Sequence, residues 1–231
     1  ADKLRLLEEM RQSLAGESSA SPEGVALRRV LLERGLSDQQ ALDLLEAFRR
    51  DVTKLRYRDW DELMDYCRYS AMPVGRLVLD VHGESRDTWP ANDALCAALQ
   101  IINHLQDCGR DYRDLGRVYV PQDALAAAGA RTGDLGADAA SPALRAALAD
   151  IARRTRELLA AARPLAGLVR DRRLALEISA IQSLAEDLCT RLLARDPLSE
   201  RVHHSRAETL AFFLRGFARF AAARVMPGIR P

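Results

Sequence analysis

Aromatic residues make up only 5% of this 231-residue chain, which leaves few platforms on which nucleic-acid bases could stack. Neither charge sign is in excess. The 34 Lys and Arg stand against 33 Asp and Glu, for a net charge of +1, which argues against a nucleic-acid partner held by bulk electrostatics. No apolar run approaches the ~20 residues of a membrane span. No CxxC pair occurs. Cys67, Cys96, Cys108 and Cys189 are scattered and read as small reduced core residues, as suits a cytoplasmic protein. His82, His104, His203 and His204 form no HExxH spacing. A Gly-rich phosphate loop, a nucleophile elbow and a dinucleotide fingerprint are also missing. No stretch alternates apolar and polar side chains as a half-buried strand would.

What remains is helical. Hydrophobic residues make up 48% and charged residues 29%, a globular composition with enough apolar material for a real core. Apolar positions recur at helical spacing almost throughout, so residues 1–231 read as one all-α domain of roughly eight helices. Asp2–Leu14 places Leu4, Leu7 and Met10 on one face. Glu23–Arg34 ends at Gly35, a candidate C′ glycine. Ser37 is expected to cap the next helix, with Gln40 completing a capping box and Leu42, Leu45, Phe48, Val52 and Leu55 facing inward. Pro73 is expected to kink or break a long helix over Asp59–Gly83. Further helices are expected over Ala94–Asp114, Ala143–Leu159, Leu165–Arg195 and Arg206–Arg224, with a loop at Gly129–Pro142. The last helix carries a stripe of Leu210, Phe213, Leu214, Phe217 and Phe220 flanked by Arg215 and Arg219. That stripe reads either as core packing or as a face laid on a membrane surface.

The chemistry concentrates at Asn103–Asp114. On a helical wheel, Gln100, Asn103, Asp107, Asp111 and Asp114 fall within an arc of about 80°. Leu95, Ala98, Leu99, Ile102 and Leu105 lie opposite. An exposed acidic row is a common solvated face, and Arg110 can pair with it for only about 0.2–0.5 kcal/mol. The row also has a second reading. Carboxylates at i and i+4 with flanking amides are hard oxygen ligands, and Mg²⁺ is held by one or two such carboxylates plus the phosphates of a substrate. Asp51 and Lys54, three residues apart, read as an exposed ion pair.

The phrase Gln100-x-x-Asn103-x-x-x-Asp107-x-x-x-Asp111, followed by Arg117-x-Tyr119-x-Pro121, resembles the second aspartate-rich signature of the squalene and phytoene synthases. Upstream, Tyr66-Cys67-x-x-Ser70-Ala71-x-x-Val74-Gly75 resembles their tyrosine-containing signature. The likeness runs from about Leu27 to Val202 and is greatest to the bacterial hydroxysqualene synthase branch of hopanoid synthesis. It implies an all-α isoprenoid-synthase bundle with a central cavity. It also implies Mg²⁺ as cofactor and a prenyl diphosphate, presqualene diphosphate, as substrate, converted with water to hydroxysqualene and diphosphate. By the resemblance Asn103, Asp107 and Asp111 are metal ligands, and Gln100 and Arg117 bind substrate. Tyr66 faces the cavity and steadies cations, and Arg56 and Tyr57 border the diphosphate. The missing dinucleotide fingerprint agrees with a water-quenched product, which needs no hydride.

Two departures stand out. The arginine that usually precedes the first aspartate is Gln106, with Arg110 one turn later as a candidate substitute. The first aspartate-rich motif does not occur within the chain and is expected on helices before Ala1. Two other expectations follow from the same residues: a head-to-head condensing synthase, or a non-catalytic isoprenoid-binding subunit that lacks half the metal site. An oily product also implies peripheral contact with the inner membrane face and with pathway enzymes.

Overall fold

The computed structural model describes residues 2–205, 207–209 and 211. Among them are eleven α-helices and two short 3₁₀ segments, with no strand beyond one isolated bridge between Arg56 and Val118. The helices are α1 (Asp2–Ala15), α2 (Pro22–Glu33), α3 (Gln39–Thr53), α4 (Trp60–Ser70), α5 (Met72–Val81), α6 (Trp89–Gln106), α7 (Cys108–Leu115), α8 (Gln122–Ala127), α9 (Pro142–Ala162), α10 (Leu165–Leu168) and α11 (Arg172–Ala194). The final helix expected over Arg206–Arg224 lies outside the described residues, apart from helical positions 207–209 and 211.

Local chemistry sets most boundaries. Ser21, Asp59 and Ser141 accept hydrogen bonds from the amides of Gly24, Glu62 and Leu144, satisfying orphan donors of the first turns of α2, α4 and α9. Pro22 and Pro142 follow two of these caps, where a missing N–H costs nothing. Gly35 sits at φ +64° beyond the end of α2, and the Leu36 amide returns to Leu31 O at 2.8 Å.

The expected breaks and caps are partly redrawn. Pro73 does split the long helix, at Ala71, and stands in the first turn of α5. Leu165–Arg195 is also two helices, because Asp171 caps α11 through the amides of Arg173 and Leu174. Ser37 is not the cap of α3. Asp38 holds that position, and Ser37 Oγ accepts only from the Gln39 amide. On α3, Leu45 is buried as expected, but Phe48 and Val52 are exposed, because that side of the helix lines an open trough; Leu55, also exposed, falls beyond the helix end at Thr53.

α6 runs through the middle of the molecule, packed against α9, α11, α5 and α4. It buries Leu95, Ala97, Ala98, Ile101, Ile102 and Leu105. A smaller apolar cluster, Leu14, Leu31, Ala41 and Leu45, joins α1, α2 and α3. α5 meets α6 closely at Gly75, where any Cβ would collide with Asn92 Oδ1 and Cys96 Sγ. All four cysteines are free, and burial pushes the Cys67 and Cys108 thiols up to about 12.

Candidate active site

The acidic row crosses a helix break. α6 ends at Gln106, Asp107 takes φ −101° and ψ 3°, and α7 starts at Cys108. The helical path survives in two hydrogen bonds, Asp107 N to Asn103 O at 3.0 Å and Asp111 N to Asp107 O at 2.8 Å. Asp107 and Asp111 are therefore neighbours, and neither is turned wholly into solvent. The Asp107 side chain keeps 28% of its surface and pairs with Arg110 Nη2 at 2.6 Å. Asp111 is half-buried. Burial, and then the Asp107 charge, raise its carboxyl above the ordinary value. Two carboxylates that repel in a partly dry place are relieved by a cation. Asn103 stands exposed one turn before Asp107. Gln106 points elsewhere, its amide donating to Val202 O.

A second group of side chains meets beside this row. Segments 55–58 and 117–123 run alongside each other, joined by Val118 N to Leu55 O, Gln122 N to Tyr57 O and Asp123 N to Arg58 O, each 2.9 Å. This pairing carries Arg117 and Tyr119 to the end of α3. There Tyr66 Oη donates to Asp51 Oδ1 at 3.0 Å, and Tyr119 Oη donates to the same oxygen at 3.2 Å. Arg117 Nη1 lies 3.6 Å from Asp51 Oδ1 and donates to Tyr119 Oη at 3.1 Å, while its Nη2 donates to the Asp51 carbonyl. The backbone of Arg117 bonds Asp111 O at 3.0 Å, so this one residue links both groups.

The rings of Tyr57, Tyr66 and Tyr119 pack with centroids 5.3–5.5 Å apart. His104 stacks on Tyr119 at 3.4 Å. Burial, helped by the Arg117 charge, pushes its imidazole down to about 3, so the ring is neutral and its Nε2 accepts from the Gln100 amide at 3.1 Å. Burial raises all three phenols, which stay protonated.

Not every expected residue reaches this place in the same way. Tyr66, Gln100 and Arg117 are in the cluster. Tyr57 is fully buried beneath it, with the Lys54 ammonium 4.8 Å above its ring. Arg56 donates to Leu55 O at 2.7 Å and to Gly116 O, closing the end of α7. The Asp51–Lys54 ion pair does not form. Lys54 Nζ pairs with Glu62 Oε1 at 2.7 Å, and Asp51 turns to the tyrosines. Asp51, His104 and Tyr119 join the cluster without having been singled out as site residues. An aspartate four residues before the Leu55–Tyr57 phrase was the only signal for the first of these.

An open trough of about 370 Å³ leads to the cluster, between α1 and α3. Leu6, Leu7, Met10, Phe48 and Val52 wall it, and Asp51 and Arg117 stand at its polar end. The hollow is thus at the surface and not enclosed at the bundle centre.

An all-helical bundle with an acidic helix face beside a tyrosine cluster and an apolar hollow is an isoprenoid-synthase-type fold, and the solved structures agree. A squalene synthase from Alicyclobacillus acidocaldarius is 39% identical with a TM-score of 0.70, over 81% of this chain and 69% of that one. A dehydrosqualene synthase, 20% identical, shares the fold with a TM-score of 0.80 over 95% and 78%. The model of the squalene/phytoene synthase family matches residues 1–208, and the chain belongs to that family. The hydroxysqualene synthase of Zymomonas mobilis is 55% identical over 96% of this chain and 74% of its own length. That of Rhodopseudomonas palustris is 60% identical over 87% and 69%.

Proposed function

We propose that this chain converts presqualene diphosphate and water to hydroxysqualene and diphosphate, as a Mg²⁺-dependent carbon–oxygen lyase. The observation that carries the reading is one juxtaposition: paired half-buried carboxylates joined through Arg117 to an apolar trough, at whose polar end Asp51 is held by two protonated tyrosines. The names and high identity of the relatives support the substrate class.

The donor set fits the metal. Among the described residues no three His, Cys, Asp or Glu side chains gather into a complete cage. Asp107, Asp111 and the Asn103 amide instead form a partial set of hard oxygens, as suits Mg²⁺ that shares its shell with substrate phosphates. The chemistry supplied by bound Mg²⁺ is neutralisation of charge on a leaving diphosphate. Arg117 adds a permanently charged guanidinium at the edge of the trough. Arg110, exposed and already paired with Asp107, is the cation next in reach.

The trough shelters the cation left behind. Its apolar walls take the hydrocarbon part, and the Phe48 ring among them attracts positive charge. His104, held neutral against Tyr119, adds no repulsion. The product is an oily alcohol, which favours release at a membrane surface by a cytoplasmic protein. No helix among the described residues is long and apolar enough to cross one.

The test is incubation with Mg²⁺ and presqualene diphosphate, with products read by mass. A C30 alcohol and free diphosphate are expected. Asp107→Ala and Asp111→Ala should each lower diphosphate release by about 100-fold or more. Full turnover in either variant would remove the metal assignment. Presqualene diphosphate formed from farnesyl diphosphate would instead mark a condensing synthase.

A further inference from the structure

We propose that Asp51 is the proton acceptor when water captures the carbocation, receiving the proton on Oδ2. This rests on the hydration reaction proposed above and names the residue that completes it.

Hydration of a carbocation needs a base. As water adds, a C–O bond forms from an oxygen lone pair, giving a protonated alcohol. One O–H bond then breaks, its electron pair stays on oxygen, and the proton moves to an acceptor. Among the described charged side chains lining the trough, Asp51 is the only carboxylate; Lys3 and Arg117 are cations with no acceptor to offer. The two Asp51 oxygens are unequally used. Oδ1 has three donors within 3.6 Å, from Tyr66, Tyr119 and Arg117. Oδ2 has only a share of the same Tyr66 proton, at 3.2 Å, so a lone pair remains on that oxygen. The side chain keeps 24% of its surface open, which lets Oδ2 receive a proton from the trough and later release it to solvent.

The other nearby groups are unsuited. His104 Nε2 is occupied by the Gln100 amide. Tyr66 and Tyr119 are donors to Asp51 and have no proton deficit to fill. A carboxylate suits the task, because a protonated alcohol is a strong acid and surrenders its proton even to a weak base.

The experiment measures alcohol formed per diphosphate released from presqualene diphosphate with Mg²⁺, for the wild type and for Asp51→Asn. The expected result is a fall of about 100-fold in that ratio, with hydrocarbon making up the difference. An unchanged ratio, whether or not diphosphate release slows, would overturn the proposal and leave the proton to the departing diphosphate or to bulk water. Asp51→Ser is the second variant, assayed with and without formate. A small exogenous carboxylate should restore the alcohol share, whereas a ratio indifferent to formate would also overturn the assignment. Wild-type protein that releases no diphosphate would overturn the hydration reading itself, a result distinct from either.

Discussion

Tyr66 illustrates how one phenol serves two ends. Its ring packs against those of Tyr57 and Tyr119, and its hydroxyl is committed to Asp51. Burial raises its pKa, so at neutral pH it acts as donor and ring and not as phenolate. Tyr66→Phe removes one donor from a carboxylate that keeps two others, and should lower stability by about 1–2 kcal/mol, read as a shifted urea midpoint at constant slope. Asp196 plays a structural part beside the start of α7. Burial pushes its carboxyl up. Hydrogen bonds from the amides of Ala140 and Leu198 and from the Ser199 hydroxyl outweigh this and hold it below 3.8. Its contribution is complete above the unfolded carboxylate's value and fades as pH falls through the lower folded one, since the unfolded chain then binds the proton first. Asp196→Ala should therefore cost about 2 kcal/mol near neutrality and flatten the acid limb of the stability curve, measured by urea unfolding from pH 7 to 3.

Helices carry these side chains into register. α5 can approach α6 only because position 75 lacks a side chain, and α6 supplies Gln100 and His104 to the site. Gly75→Ala forces Asn92 and Cys96 aside and should cost about 1–3 kcal/mol, seen as a lower melting temperature. The α6–α7 break at Asp107 works in the same way on a smaller length. It bends the acidic row, and the Gln106 amide fastens the bend to Val202 O. The departure from the family pattern at Gln106 thus has a visible use as a tie between the acidic helix and the segment after α11.

The molecule as a whole is unevenly consolidated. α6, α9 and α11 share one continuous core that includes Ile101, Ile102, Leu105, Leu144, Ile151 and Leu159. The unit of α1, α2 and α3 rests on four buried apolar residues and exposes Leu4, Leu6, Val25 and Leu27. Local opening follows local burial. Amides of α1 and α2 should exchange with deuterium well before those of α6 and α9, by mass spectrometry of peptides. Equal protection across all four would mean that the small cluster is bound into the main core.

Much of this was legible in the chain. Helical periodicity reveals an all-α bundle because a 3.6-residue repeat of apolar side chains leaves few other ways to bury them. Pro73 and Gly35 mark their own stops, since one lacks a donor and the other tolerates positive φ. The Asn103–Asp111 row is likewise local, with oxygen-bearing side chains about a turn apart along the chain. Contacts between distant segments are not encoded at any one position. Asp51 meets Tyr66 across 15 residues and Tyr119 across 68, and only the lateral pairing of segments 55–58 and 117–123 brings them together. Lys54, three residues from Asp51 and a good partner by spacing, goes to Glu62 instead. Periodicity reports which side of a helix is apolar. Packing alone chooses which neighbour each polar group finds, because that depends on the three-dimensional path of the whole chain.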